Sequence, residues 1–127
     1  MKPTVLMFHI APVKVAAIHV LAQRLNLRII SVPPERQGCR IGDLFAGAGE
    51  NRPPEVPFSE EMLVMDLPGR LMDSFLQGLR RQRAAVELKA ARTATNDGWN
   101  ADKLYQELCR EREAFRQGTT AHQAPEQ

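Results

Sequence analysis

The sequence predicts an α/β protein in which two β-α-β units share one four-stranded sheet. Two observations predict this class. Four short apolar segments have the length and composition of strands, and a stretch with apolar residues at helical spacing follows the first and the third of them. The same order recurs in the second half, where Leu63 corresponds to Leu6 and Leu76 to Ile18. We therefore expect two halves of similar architecture.

The first unit begins with a strand that is buried on both faces, since residues 5–10 form a nearly continuous apolar run. Pro12 occupies a position typical of the first turn of a helix, and apolar residues from Val15 to Leu25 recur at spacings of three and four. Residues 27–32 predict a second strand, because they are rich in β-branched side chains and end at two prolines that cannot continue a ladder.

Residues 33–60 predict an irregular connector, because they contain most of the prolines and many of the glycines. Within this connector only residues 41–45 predict a helical turn. The following segments are predicted in this order: a strand at 62–67, a helix starting at Pro68, a weaker strand at 85–90, a turn-rich stretch at 93–98, a last helix at 100–116 and a disordered tail at 117–127.

These elements predict a two-layer α/β sandwich and a single domain over residues 1–116, with halves at 4–46 and 61–116. A ferredoxin-like sheet is favoured, because the long connector permits an antiparallel insertion between the units. An all-parallel sheet is the alternative. In both arrangements the last helix packs at an edge or on an open face.

The composition limits the classes of function. The chain has 127 residues with 17 Lys and Arg against 15 Asp and Glu, which suits one soluble domain and gives no charge excess that demands a nucleic acid. Cys39 and Cys109 lie far apart, without the spacing of a zinc or redox motif, so a cytoplasmic location is expected. No export signal or membrane span is predicted. No catalytic residue, metal or cofactor is predicted, because no nucleophile has an evident base partner and no two histidines have ligand spacing.

The most distinctive motif lies between the weak strand and the last helix. Lys89, Ala90, Thr93, Asn96 and Trp99 form the pattern Lys-Ala-x-x-Thr-x-x-Asn-x-x-Trp, ahead of an acidic amphipathic helix. Over residues 62–113 the chain thereby resembles a family of short, mainly bacterial proteins classed only as a domain of unknown function. The resemblance implies no activity, substrate or catalytic residue.

The same region predicts a candidate ligand site, because the carboxyl ends of two parallel strands and the start of a helix meet at one edge of a sheet. The candidate residues are Asp66, Arg70, Lys89, Thr93, Thr95, Asn96 and Trp99. Free helix amides, the two cations and the threonine hydroxyls would together hold a carboxylate or phosphate. The structural alternative is that Thr and Asn side chains cap and turn the backbone, Asp66 caps the helix and Trp99 covers the core edge.

Two further groups of residues depend on the strand order. His9 ends the first strand as Asp66 ends the third, and the two side chains meet only in an all-parallel sheet. A basic cluster is expected beside the Thr-Asn-Trp loop, formed by Arg80, Arg81, Arg83, Lys89 and Arg92. It predicts a solvated helix end rather than a nucleic-acid surface, because Phe8 is the only aromatic residue on a predicted strand.

Three classes of function remain. The favoured one is a non-enzymatic interaction or regulatory module that binds another protein or a second copy of itself. The alternative is a binder of a small anionic ligand at the loop around Lys89 to Trp99. Nucleic-acid binding ranks third, and a membrane partner is not expected.

Overall fold

A computed structural model describes residues 2–122, with the side chains of residues 2–118. The elements follow the predicted order: β1 (Thr4–Phe8), α1 (Pro12–Leu25), β2 (Arg28–Ser31), α2 (Ile41–Ala46), β3 (Met62–Asp66), α3 (Gly69–Arg81), β4 (Leu88–Ala91) and α4 (Ala101–His122), with short 3-10 turns at Pro34–Arg36 and Asn96–Gly98.

The strands form an open mixed sheet in the order β2-β1-β3-β4. β1 and β2 are parallel, β3 and β4 are parallel, and the central pair β1 and β3 is antiparallel. The favoured ferredoxin-like arrangement is not adopted, because it splits each β-α-β unit with a strand of the other, whereas here the strands of each unit are neighbours. The all-parallel alternative is also wrong, since the central pair is antiparallel.

Helices cover both faces of the sheet. Leu6 and Phe8 of β1 pack in a core with α2 and α4, whereas Val5 and Met7 pack in a second core with α1 and α3. The predicted two-layer sandwich is therefore wrong, because the connector supplies α2 and Phe58 to the first of these cores. Every residue of β1 is buried, so the centre of the sheet requires cover on both sides.

An approximate two-fold axis relates the two halves. It passes between β1 and β3, whose pairing is symmetric about Leu6 and Val64. The antiparallel bridge between Arg40 and Asn100 repeats this symmetry. It consists of two 2.9 Å hydrogen bonds, from Ile41 N–H to the Trp99 carbonyl and from Ala101 N–H to the Cys39 carbonyl. The halves differ where α2 stops at Ala46, before the left-handed Gly47, while α4 continues to His122.

Two boundaries differ from the prediction by three residues or more. β4 begins at Leu88 rather than at residue 85, so Lys89 lies opposite Leu63, near the amino end of β3. α4 continues to His122, beyond the predicted end at residue 116. The remainder of the predicted disordered tail, residues 123–127, lies outside the described residues.

Candidate functional site

Arg92 forms two ion pairs at the end of the sheet where β3 and β4 finish. Its Nη1 lies 3.1 Å from Asp66 Oδ2 and its Nε lies 2.6 Å from Asp97 Oδ1. Its guanidinium carbon lies 4.7 Å from the centre of the Phe45 ring. The hydrogen bond to Asp97, opposed by burial and supported by the bond to Asp66, raises the pKa of Arg92. Asp66 is thus an ion-pair partner and not the predicted helix cap, since α3 begins without a side-chain cap.

Thr93 and Asn96 form reciprocal hydrogen bonds between main chain and side chain across a tight turn. The Thr93 amide donates to Asn96 Oδ1 at 2.9 Å, and the Asn96 amide donates to Thr93 Oγ1 at 3.0 Å. Asn96 Nδ2 also donates to the Ala91 carbonyl at 2.9 Å. This is the capping role that the structural alternative predicts. Thr95 is exposed, and its side chain does not cap the turn.

Trp99 packs, half-buried, against the core shared with α2 and α4. Lys103 Nζ lies 4.9 Å from the centre of its ring. Trp99 therefore covers the core edge, and its carbonyl accepts the first amide of α2.

The structure does not bring Lys89 into the predicted anion site. Its Nζ donates to the Val86 carbonyl at 3.2 Å, near the amino end of β4. Arg70 is exposed at the start of α3, near the opposite end of the strand pair. The prediction placed Lys89 at the carboxyl end of its strand, and the later start of β4 removes it from there.

The predicted basic cluster is divided between the two ends of β4. Arg80 and Lys89 line a cavity of about 100 Å³, and the exposed Arg81 and Arg83 lie nearby at the end of α3. Arg92 lies at the other end and is ion-paired. A continuous basic patch beside the Thr-Asn-Trp loop is therefore absent among residues 2–118.

His9 lies at the opposite end of the sheet, just after the last residue of β1. Its Nε2 lies 2.8 Å from Gln37 Oε1, and the buried Gln37 donates through Nε2 to the Val32 carbonyl. Its ring meets the Phe58 ring edge-on, and Phe58 stacks on Tyr105 with the ring centres 4.4 Å apart. The His9–Asp66 pairing that an all-parallel sheet allows does not form, because β1 and β3 run in opposite directions.

Glu60 and Glu61, at this same end of the sheet, bind partners within the chain that no local sequence pattern indicates. Glu61 accepts the Ala11 amide at 2.8 Å and Lys14 Nζ at 2.7 Å. Burial opposes these bonds, but together they hold the pKa of the Glu61 carboxyl below its usual value. A carboxylate of this chain therefore already occupies the start of α1.

The second carboxylate, Glu60 at the end of the connector, forms an ion pair with Arg112 of α4. Arg112 binds both oxygens of Glu60, at 2.6 and 3.1 Å, and Glu87 at 2.7 Å. The Tyr105 hydroxyl donates to Glu60 at 3.0 Å, and burial, the neighbouring Cys109 and this bond raise the pKa of Tyr105. The hydrogen bond from Arg112 is the main cause of the lowered pKa of Glu60.

The outer strands of the sheet, β2 and β4, differ in how many of their outward main-chain groups are hydrogen-bonded. Arg28 and Val32 direct their amides to β1, so by the alternation of a strand Ile29 and Ser31 direct theirs outward. At the other edge, the outward carbonyl of Ala91 accepts a hydrogen bond from Asn96 Nδ2, so the carboxyl-terminal part of β4 is partly closed. Within the described part of the chain, the outward main-chain groups of β2 have no partner.

A cavity of about 170 Å³ lies beside this open edge, on the face covered by α2. It is lined by Arg28, Ile30, Ser31, Val32, Pro33, Arg36, Leu44 and Gly47. None of these residues carries a carboxylate. The Arg36 guanidinium binds only neutral groups, among them the Ala48 carbonyl at 2.6 Å, so its charge is not neutralised. The prolines after β2 are a signal of an edge strand, but only the strand order shows that its edge is open.

Residues 2–122 contain no cluster of three or more His, Cys, Asp or Glu suited to a metal ion. Among the helices of that range, none has the combination of length and apolar character that crossing a lipid bilayer requires.

The fold and these sites define a small α/β domain with internally paired polar strand ends and an unpaired outer edge on β2. Residues 61–115 match the family model described as Domain of unknown function (DUF3783), which confirms the predicted resemblance to such a family. The match covers β3, α3, β4 and the first part of α4. The searches of curated proteins and of solved structures found no match to the chain.

Proposed function

We propose that this chain is a non-enzymatic protein-interaction module that binds an extended segment of a partner protein along the outer edge of β2. The carrying observation is the pair of outward-facing residues, Ile29 and Ser31, whose main-chain groups lie unpaired beside an apolar cavity. Addition of a strand to such an edge is a common mode of peptide recognition, in which main-chain hydrogen bonds supply affinity and neighbouring pockets supply specificity.

The anionic-ligand alternative has less support. Of its candidate residues, Thr93, Asn96 and Asp66 are engaged in internal hydrogen bonds, and Lys89 lies away from the start of α3. Nucleic-acid binding has less support as well, because the one strand aromatic, Phe8, is buried and unavailable for stacking on a base. A cytoplasmic setting belongs to the proposal, since Cys39 and Cys109 are free thiols.

The proposal is tested by selecting binders from a random-peptide display library on the full chain. Selected peptides should slow hydrogen exchange at the Ile29 and Ser31 amides, because these become donors to the added strand. Ser31→Pro removes one outward donor without touching the bonds to β1 and should abolish binding, whereas the matched Ser31→Ala should bind normally. Selected peptides that bind Ser31→Pro as well as the wild type would overturn the proposal.

Self-association is a separate outcome. Sedimentation of the wild type and Ser31→Pro distinguishes it, since a dimer built through β2 disappears in the proline variant. A dimer of that kind would replace the partner segment with a second copy of this chain.

A further inference from the structure

Resting on the proposed function, we infer the chemistry of the segment that β2 binds: an extended acidic segment in which one bulky apolar side chain enters the cavity and an acidic residue two positions away faces Arg28. The inference names the class of partner sequence through the spacing of two side chains. Three observations carry it.

The first observation is the shape of the cavity. Its volume of about 170 Å³ is similar to the roughly 150 Å³ of an engineered apolar protein cavity that binds benzene. Ile30, Val32 and Leu44 form its apolar wall. In a strand added beside β2, the residue opposite Ile30 points to the same face as Ile30, and therefore toward this cavity.

The second observation is charge. Arg28 lies two residues before Ile30 and hence on the same face of the sheet. It forms no ion pair among the described residues, and Arg36 on the other side of the cavity binds only neutral oxygens. An acidic side chain two positions from the apolar one, on the side of Arg28, comes next to that cation.

The third observation comes from the symmetry of the molecule. Leu104 on α4 and Leu44 on α2 occupy equivalent positions, but α4 continues and places Leu108 against the core beside β4. In the first half α2 has already ended at Ala46, so nothing equivalent to Leu108 covers β2. A cavity of about 240 Å³ lies beside β4 as well, but Glu87 and Glu111 line it, whereas no carboxylate lines the cavity beside β2.

The charge also argues against a second copy as the occupant. Pairing two β2 strands about Ile30 would bring two sets of Arg28 and Arg36 to one small interface, without a lining carboxylate to neutralise them. An acidic segment from another protein neutralises the same charges.

The test uses three synthetic peptides and calorimetric titration of the full chain. The first, acetyl-Thr-Glu-Thr-Leu-Thr-Glu-Thr-amide, places both glutamates on the face of the leucine. The second, acetyl-Thr-Thr-Glu-Leu-Glu-Thr-Thr-amide, has the same composition and charge but turns both glutamates to the opposite face. The third replaces leucine with alanine in the first. The first peptide should bind at least about tenfold more tightly than either of the others.

Two charge reversals locate the site. Arg28→Glu should weaken binding of the first peptide by about tenfold, because an attraction becomes a repulsion. Arg70→Glu is the control, since Arg70 is an equally exposed arginine at the start of α3. Equal binding of the first two peptides, or equal losses in the two variants, would overturn the inference.

The outcomes separate this inference from the proposed function. If selected peptides protect Ile29 and Ser31 but show no preference for the acid-x-apolar spacing, edge binding stands and this inference fails. If no peptide protects those amides, both fail.

Discussion

Asn96 illustrates at the residue scale how a motif that suggests a ligand site can be structural. Its side chain is 6% exposed and forms hydrogen bonds with Thr93 and Ala91. Asn96→Ala should lower the free energy of unfolding by about 1–3 kcal/mol, because it removes two side-chain hydrogen bonds that each contribute about 0.5–1.5 kcal/mol. Urea denaturation followed by Trp99 fluorescence measures this change.

Thr95→Ala is the matched control. Thr95 lies next to Asn96 but is exposed, so its replacement should change stability by less than about 0.5 kcal/mol. Equal losses in the two variants would contradict the capping role assigned to Asn96.

Glu61 makes the stability depend on pH. Burial opposes its ionisation, but the bonds from Lys14 and the Ala11 amide hold the folded-state pKa of its carboxyl below the usual 4.5. A lowered folded-state pKa stabilises the protein above the unfolded-state value, and this stabilisation is lost as the pH falls through the folded-state pKa. The Glu61→Gln variant should therefore have a lower free energy of unfolding than the wild type at neutral pH. Its free energy of unfolding should also decrease less as the pH falls.

Urea midpoints of both proteins between about pH 7 and about pH 3 test the sign. The two curves of urea midpoint against pH should converge at low pH. Parallel curves over that range would show that Glu61 does not contribute to the pH dependence, and would leave Glu60, whose pKa is also lowered, as its source.

At the scale of elements, α4 has two parts with different roles. Leu104 is buried beneath the helix, whereas Phe115 is 74% exposed eleven residues later. Leu104→Ala should cost about 2–5 kcal/mol of stability, and Phe115→Ser should change it by less than about 0.5 kcal/mol. Thermal and urea unfolding of the two variants provide the measurement, and a large loss in Phe115→Ser would show that the end of α4 packs against the rest of the protein.

The order of elements was predictable from local signals, while the start of β4 was not. Ala84, Val86 and Leu88 are buried and alternate with exposed residues, so the period-two pattern of a strand begins before the strand does. Main-chain pairing with β3 starts only at Leu88. A burial pattern reports which side chains face the core, and hydrogen bonding between strands depends on where the partner lies.

At the scale of the whole molecule, the two halves depend on each other. Each core combines side chains from both halves: Phe8 with Leu104 on one face, and Ile18 with Phe75 on the other. The matched family domain, residues 61–115, therefore lacks the neighbours of β3 and α3. We expect the separate fragments 1–60 and 61–127 to be unfolded, and to regain structure when mixed.

Circular dichroism of each fragment and of their mixture tests this expectation. Cooperative thermal unfolding of the isolated fragment 61–127 would show instead that the second half is a domain on its own.

The sequence by itself determined the kinds of elements, their order and the resemblance of residues 62–113 to a known family, because hydrophobic period, prolines and capping residues act over a few neighbouring positions. The tertiary structure decided the strand order, which separates His9 from Asp66 and divides the basic residues. It also decided that β2 lies at an edge of the sheet with its outward main-chain groups unpaired, while Asn96 binds the outward Ala91 carbonyl of β4. These properties depend on which strands become neighbours, and contacts between distant segments leave no periodic signal in a single chain.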